Sequence, residues 1–74
     1  MKLTDLNVDE IAFIASMDGD SDFTARLMEM GFAKDLQIRM VKKFPFKGPI
    51  QVRIRNFLLS LRYDDAAKIQ LKIK

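Results

Sequence analysis

The 74-residue sequence contains no cysteine, no histidine and no tryptophan. Without cysteine the chain cannot be a disulfide-stapled extracellular scaffold. The usual nucleophile–base pairs also need histidine or cysteine, and so do soft metal sites. The sequence therefore predicts no catalytic residues and no metal site, and we expect that the protein is not an enzyme.

Glycine is also scarce, and its three copies stand apart at positions 19, 31 and 48. A phosphate-binding loop needs clustered glycines, so no nucleotide or other cofactor is predicted. No apolar run approaches the roughly 18 residues of a membrane span. Asp5, Asp9 and Glu10 stand where a signal peptide needs an apolar core. We expect one cytoplasmic domain over residues 1–74, monomeric and without membrane insertion.

The charge that the chain does contain is unevenly distributed. The net charge is +3, but residues 1–35 carry a net −5 and residues 36–74 a net +8. Such an asymmetry can mark a surface for nucleic acid or an acidic partner. We favour the alternative that the two halves interleave in one small domain and offset each other, because halves of a sequence are not faces of a fold.

The best-marked element is a short α-helix at about residues 21–30. Ser21 is the predicted N-cap, since serine accepts hydrogen bonds from the first free N–H groups. Phe23, Leu27 and Met30 fall at i, i+4 and i+7 and predict one apolar stripe. Gly31 is the predicted left-handed residue after the helix, so that Phe32 folds back on Leu27 as in a Schellman motif.

The rest of the chain predicts strands, because its apolar residues alternate with a period of two. The strand at 50–54 is clearly one-sided, whereas both faces of the strand at 11–17 are apolar and either could be the buried one. A short helical turn is predicted near 63–67. Five short strands and one helix predict a mainly β fold, a small and strongly bent barrel.

The acidic residues around the helix start partly match an EF-hand calcium loop. The matching residues are Asp18, Asp20, Asp22 and Glu29, at positions 1, 3, 5 and 12. Position 6 is Phe23, where the loop requires glycine, and no helix precedes Asp18. We interpret the three aspartates as residues of the helix start, where the helix dipole favours negative charge.

The segment from Lys42 to Lys47 combines lysines with aromatic residues. Phe44 and Phe46 between lysines can stack on single-stranded bases while the lysines contact phosphate. Alternatively, the rings cap one end of the barrel and the lysines keep a hairpin tip soluble. A third interpretation is a protein-docking loop.

Three segments resemble the FeoA family when they are taken in order. Residues 26–32 (RLMEMGF) match its helix end, residues 44–50 (FPFKGPI) its proline loop, and residues 61–66 (LRYDDA) its closing segment. The resemblance covers nearly the whole chain. Where the family usually has glycine, this chain has Asp9, Asp35 and Asn56, residues that tolerate a left-handed conformation. We therefore expect φ > 0 at all three.

The resemblance implies an SH3-like β-barrel and a cytosolic accessory role in ferrous iron uptake. The implied partner is a FeoB-type membrane transporter, on whose cytoplasmic G-protein domain the chain would dock. The lack of histidine and cysteine favours docking over iron carriage, since Fe(II) sites usually recruit imidazole or several carboxylates. The candidate partner-binding residues are Arg26, Met28, Phe44, Phe46 and Lys47.

Two further functions follow from the residues alone. A small basic barrel could bind nucleic acid through the Lys42–Lys47 loop together with Arg53 and Arg55. An SH3-style binder of proline-rich peptides would need a groove of paired aromatic residues. One tyrosine and no tryptophan argue against that groove.

Overall fold

In the computed structural model, which describes residues 1–73, the chain forms an antiparallel sheet with two helices. A 3-10 turn at Leu3–Asp5 comes first. The strands are β1 (Ile11–Met17), β2 (Gln37–Lys43), β3 (Ile50–Ile54), β4 (Phe57–Leu61) and β5 (Ile69–Lys72). The helices are α1 (Ser21–Glu29), between β1 and β2, and α2 (Tyr63–Ala66), between β4 and β5. The predicted mainly β fold, with one short helix and a helical turn near 63–67, is confirmed.

The sheet runs in the order β4-β3-β2-β1-β5. The register shifts between Ile14 and Ser16 on β1 and between Met40 and Lys42 on β2, as expected for bulges that bend a sheet. Within residues 1–73, β4 and β5 are not paired with each other, so the barrel is bent but not closed. The dimensions of 29 × 26 × 23 Å are those of a compact particle.

Alternate residues of the strands face one core. On β1 the buried pair is Ala12 and Ile14, while Ile11 is exposed, which settles the ambiguity of that strand. On β3 the predicted one-sided pattern is confirmed. The large core residues with under 2% exposure are Leu3, Leu6, Ile14, Phe32, Ile38, Met40, Ile50, Val52, Ile54 and Ile69.

The start of α1 differs from the sequence prediction by one residue. Asp20, not Ser21, is the N-cap, and its carboxylate accepts a hydrogen bond of 2.8 Å from the Phe23 N–H. Asp20 has the extended backbone that a cap requires, whereas Ser21 is already helical. Both residue types are good caps, so composition alone could not decide between the two positions.

The predicted end of α1 is confirmed in its backbone. Gly31 has φ 106°, its N–H donates to the Met28 carbonyl at 3.0 Å, and the Phe32 N–H donates to the Leu27 carbonyl at 3.0 Å. These are the two hydrogen bonds of a Schellman motif. Phe32 is buried, but Met30 is 38% exposed, so the apolar stripe of α1 is narrower than predicted.

The expected left-handed positions are confirmed at two of three sites. Asp9 has φ 72° and Asp35 has φ 68°. In the two-residue turn between β3 and β4, however, the positive φ of 51° belongs to Arg55 and not to Asn56. The expectation for Asn56 was wrong, because the turn places its strained residue one position earlier.

The C-terminal strand is shorter than its apolar pattern suggested. Ile69 and Leu71 are buried on β5, whereas Ile73 follows the strand and is exposed. The alternation of Ile69, Leu71 and Ile73 with lysines predicts a last strand that reaches Lys74, but Lys74 lies outside the described residues. Across residues 1–73, neither helix has the length and apolar character needed to cross a bilayer.

Candidate docking surface

The loop between β2 and β3 is closed by its own backbone. The Phe44 N–H donates to the Pro49 carbonyl at 3.2 Å, and the Gly48 N–H donates to the Pro45 carbonyl at 3.1 Å. Phe46 and Lys47 lie at its tip with φ of 60° and 57°. Two adjacent non-glycine residues in this region are uncommon and cost conformational energy. The loop therefore has a defined conformation and is not a flexible linker.

That loop holds one aromatic ring entirely in water. Phe46 is 99% exposed, whereas Phe44 is 37% exposed and the Lys42 ammonium lies 4.7 Å from the centre of its ring. One interpretation of the sequence was that the phenylalanine rings cap the barrel. Phe46 does not do so, because its ring is exposed. A large apolar side chain with no contact of its own is typical of an anchor for a binding partner.

A groove of about 510 Å³ runs beside the loop. Its walls come from the loop and from the start of α2, and the residues that line it are Lys47, Gly48, Pro49, Arg62, Tyr63 and Asp64. The Lys47 ammonium lies 6.0 Å from the centre of the Tyr63 ring. Tyr63 is the only aromatic residue in this lining, so the paired-aromatic groove of a proline-peptide binder is not formed here.

A smaller groove of about 180 Å³ lies between α1 and β4. Arg26 and Met30 contribute to its α1 side, and Leu61 and Asp65 are among the residues opposite. Arg62 lines both this groove and the one beside the loop. The two grooves therefore adjoin at Arg62, and Arg26 lines one of them while Lys47 lines the other.

Met28 lies away from these two grooves. It is 61% exposed and lines neither groove. Two residues along an α-helix turn the side chain by about 200°, which directs Met28 away from Arg26. Arg26 and Lys47 thus line adjoining grooves, and the two loop phenylalanines belong to the loop beside one of them. Met28 lies outside both grooves.

Arg62 and Tyr63 were not among the predicted site residues. The only tyrosine of the chain, next to an arginine at the start of a helical turn, was a signal that sequence reasoning left unused. The proximity of that turn to the proline loop depends on the fold, since the two segments are separated by the whole β3–β4 hairpin.

The calcium-like acids have other roles in the structure. Asp20 caps α1, and the Asp18 carboxylate accepts a hydrogen bond of 2.9 Å from the Gln70 side chain. Within residues 1–73, no three or more histidine, cysteine, aspartate or glutamate side chains are grouped so that they could hold a metal ion.

The basic residues of the nucleic-acid interpretation do not form one stripe. Lys43 is occupied by the Thr4 carbonyl, to which its ammonium donates at 2.9 Å. Lys47 lies at the proline loop, whereas Arg53 and Arg55 line a separate groove with Arg39. The loop and Arg55 sit at opposite ends of β3, so one strand of nucleic acid would have to span the length of that strand to contact both.

Comparison with known proteins identifies the family. The FeoA domain model matches residues 1–73. An Fe(2+) transport protein A/Fe(2+) transporter FeoB fusion protein from Porphyromonas gingivalis is 36% identical over 73 residues, which is 99% of this chain. The chain spans only 9% of the length of that relative.

Solved structures agree with the sequence match. FeoA from Chlorobium tepidum superposes with a TM-score of 0.89 and 27% identity, over 99% of this chain and 70% of that one. The zinc complex of FeoA from Stenotrophomonas maltophilia, described as a prokaryotic SH3-domain protein and a candidate ferrous iron transport activating factor, gives 0.83 and 28%, over 97% and 89%. The chain belongs to the FeoA family, a transport-associated group with an SH3-like fold.

Proposed function

We propose that the protein is a non-enzymatic cytoplasmic accessory protein of ferrous iron uptake. It docks on the cytoplasmic G-protein domain of a FeoB-type membrane transporter and modulates the activity of that transporter. Its contact surface comprises the proline loop, with Phe44, Phe46 and Lys47, and the adjoining face of α1 at Arg26.

The observation that carries this proposal is the fusion of the two proteins in a relative. In the Porphyromonas gingivalis protein, a segment 36% identical to this chain is joined to a FeoB transporter. Joining two modules in one chain fixes their ratio at one to one and replaces encounter in solution by a high effective concentration. A fusion of this kind supports an association between the separate chains as well.

The exposed loop is the surface best suited to such an association. Phe46 exposes nearly its whole side chain, and the backbone hydrogen bonds from Phe44 to Pro49 and from Gly48 to Pro45 fix the loop that carries it. A preorganised loop loses less conformational entropy on binding than a flexible one. Burial of one aromatic ring in a partner pocket then contributes directly to affinity.

A calorimetric titration of the protein into the isolated cytoplasmic domain of the transporter tests the proposal, with and without guanine nucleotide. We expect saturable one-to-one binding. Phe46→Ala should weaken it by about 30-fold, the effect of removing an interfacial hot spot of about 2 kcal/mol.

Phe57→Ala is the matched control. Phe57 is also an exposed phenylalanine, at 56%, but it begins β4 at the opposite end of the β3–β4 pair from the loop. It should leave the affinity unchanged. Equal losses from both variants would mean that the loop is not the docking site, and no heat of binding at high concentration in either nucleotide state would contradict the proposal itself.

A further inference from the structure

Two arginines face each other across the outer side of the sheet. Arg39 on β2 and Arg53 on β3 are direct cross-strand partners, and Arg55 follows β3 in the turn to β4. Side chains so paired stand about 5 Å apart at Cβ. Together with Leu36 and Gln37, the three arginines line a groove of about 350 Å³.

No acid within residues 1–73 neutralises these three side chains. The ion pair on the described part of the sheet joins Lys72 to Asp35, and no carboxylate lies within ion-pair distance of Arg39, Arg53 or Arg55. Like charges directly opposite on a sheet destabilise it. The fold therefore carries an unfavourable charge arrangement that an external anion would relieve.

We infer that this groove is a docking surface for an acidic segment of a protein partner. The guanidinium groups of Arg39, Arg53 and Arg55 bind two or more of its carboxylates. Guanidinium presents paired N–H donors that match the two oxygens of a carboxylate, and the resulting hydrogen bonds are stronger than those between neutral groups.

The neighbours of the arginines favour a protein segment over nucleic acid. Ile11 on β1 pairs with Arg39, and Leu58 on β4 pairs with Arg53, so one row across four strands reads apolar, basic, basic, apolar. Both ends of the row are exposed, Ile11 at 39% and Leu58 at 52%. The groove lining contains no aromatic ring on which a base could stack. An acidic segment flanked by apolar side chains complements this row.

This surface is independent of the proposed transporter function, because it uses none of the residues assigned to the proline loop or α1. The two proposals can therefore fail separately. Binding of the transporter domain is sensitive to Phe46, whereas binding of an acidic segment depends on the arginine groove.

The test uses fluorescein-labelled decapeptides and the full chain at low salt. A peptide of alternating glutamate and serine should bind, and the same peptide with glutamine in place of glutamate should not. Arg53→Gln should weaken binding of the glutamate peptide by about fivefold or more. Added salt should also weaken it, because the contact is electrostatic and exposed.

Lys68→Gln is the matched control, since it removes the same charge from an exposed side chain that lines none of these grooves. Unchanged affinity in that variant supports the inference, as do amide shifts confined to residues 37–39 and 53–55. Equal weakening by both variants would overturn it in favour of diffuse charge attraction. Tighter binding of a ten-nucleotide oligo-dT, lost in Arg53→Gln, would overturn it in favour of nucleic acid.

Discussion

At the scale of single residues, the strained backbone positions are the most informative. Asp9 and Asp35 hold φ values of 72° and 68°, in the left-handed region that glycine adopts most readily. A non-glycine residue in this region costs about 1–2 kcal/mol of conformational energy, which glycine avoids. Glycine in turn costs about 0.5–1 kcal/mol through the greater freedom of the unfolded chain.

Asp9→Gly should therefore raise the free energy of unfolding by about 0.5 kcal/mol, the difference between those two costs. Asn56→Gly is the counterpart, because Asn56 itself has no positive φ, although Arg55 before it does. It should lower the free energy of unfolding by about 0.5–1 kcal/mol, since only the entropic cost of glycine remains. Urea unfolding of both variants measures the contrast. A gain in Asn56→Gly and a loss in Asp9→Gly would contradict the backbone geometry described here.

The sequence predicted which kinds of residue occupy the turns more reliably than it predicted which position in each turn has the positive φ. That Asp or Asn replaces glycine at a turn was visible, but the turn of β3 into β4 strains Arg55, which no local pattern marks. The sequence also could not predict how far each phenylalanine side chain is exposed. Phe44 and Phe46 are identical in type and two positions apart, yet one is 37% and the other 99% exposed, because only the fold decides which ring meets the protein.

At the scale of elements, helix α1 depends on the cap at Asp20. Its carboxylate satisfies the Phe23 N–H, and its negative charge lies at the positive end of the helix dipole. Asp20→Ala should therefore lower the free energy of unfolding by about 1 kcal/mol. Ser21→Ala should change it by less than about 0.5 kcal/mol, because Ser21 is exposed and already inside the helix.

Chemical denaturation of the two alanine variants distinguishes the cap from its neighbour. The reverse order, with the larger loss in Ser21→Ala, would restore Ser21 as the cap. Near-equal losses would indicate that the helix start is shared between the two residues.

Elements with two independent signals were predicted together with their buried face, whereas for β1 only the strand itself was predicted. Helix α1 had both an apolar stripe and a glycine stop, and β3 had strict alternation bounded by a proline loop and a turn. For β1 the alternation was apolar on both faces, so the choice of Ala12 and Ile14 as the buried pair needed the sheet. The edge positions of β4 and β5 likewise follow from strand pairing over long sequence distances, which no local pattern encodes.

At the scale of the whole molecule, the two oppositely charged halves of the chain interleave only in part. Lys72 of the basic half pairs with Asp35 of the acidic half, and Gln70 bonds to Asp18. Arg39, Arg53 and Arg55 gather instead on one face without an acidic partner in residues 1–73. The expectation that the charges offset each other therefore holds for β5 and not for the outer face of β2 and β3.

The order of three individually weak motifs predicted the family, and membership of the family implied the SH3-like fold. The candidate docking surface could not be obtained in the same way, because it combines the proline loop, α1 and the start of α2. These segments are distant in the sequence, and in the fold they line two grooves that share Arg62. The assignment of Arg26, Met28, Phe44, Phe46 and Lys47 to partner binding stays a prediction, and the geometry supports it least for Met28.

The central claim is that this protein modulates ferrous iron transport by docking through its proline loop. Uptake of Fe(II) into proteoliposomes tests that claim most directly, when the cytoplasmic domain of a FeoB-type transporter faces the lumen and the protein is enclosed there. Added protein should change the uptake rate. Phe46→Ala should abolish the change, and Phe57→Ala should preserve it. An uptake rate that is the same with and without saturating protein would contradict the account.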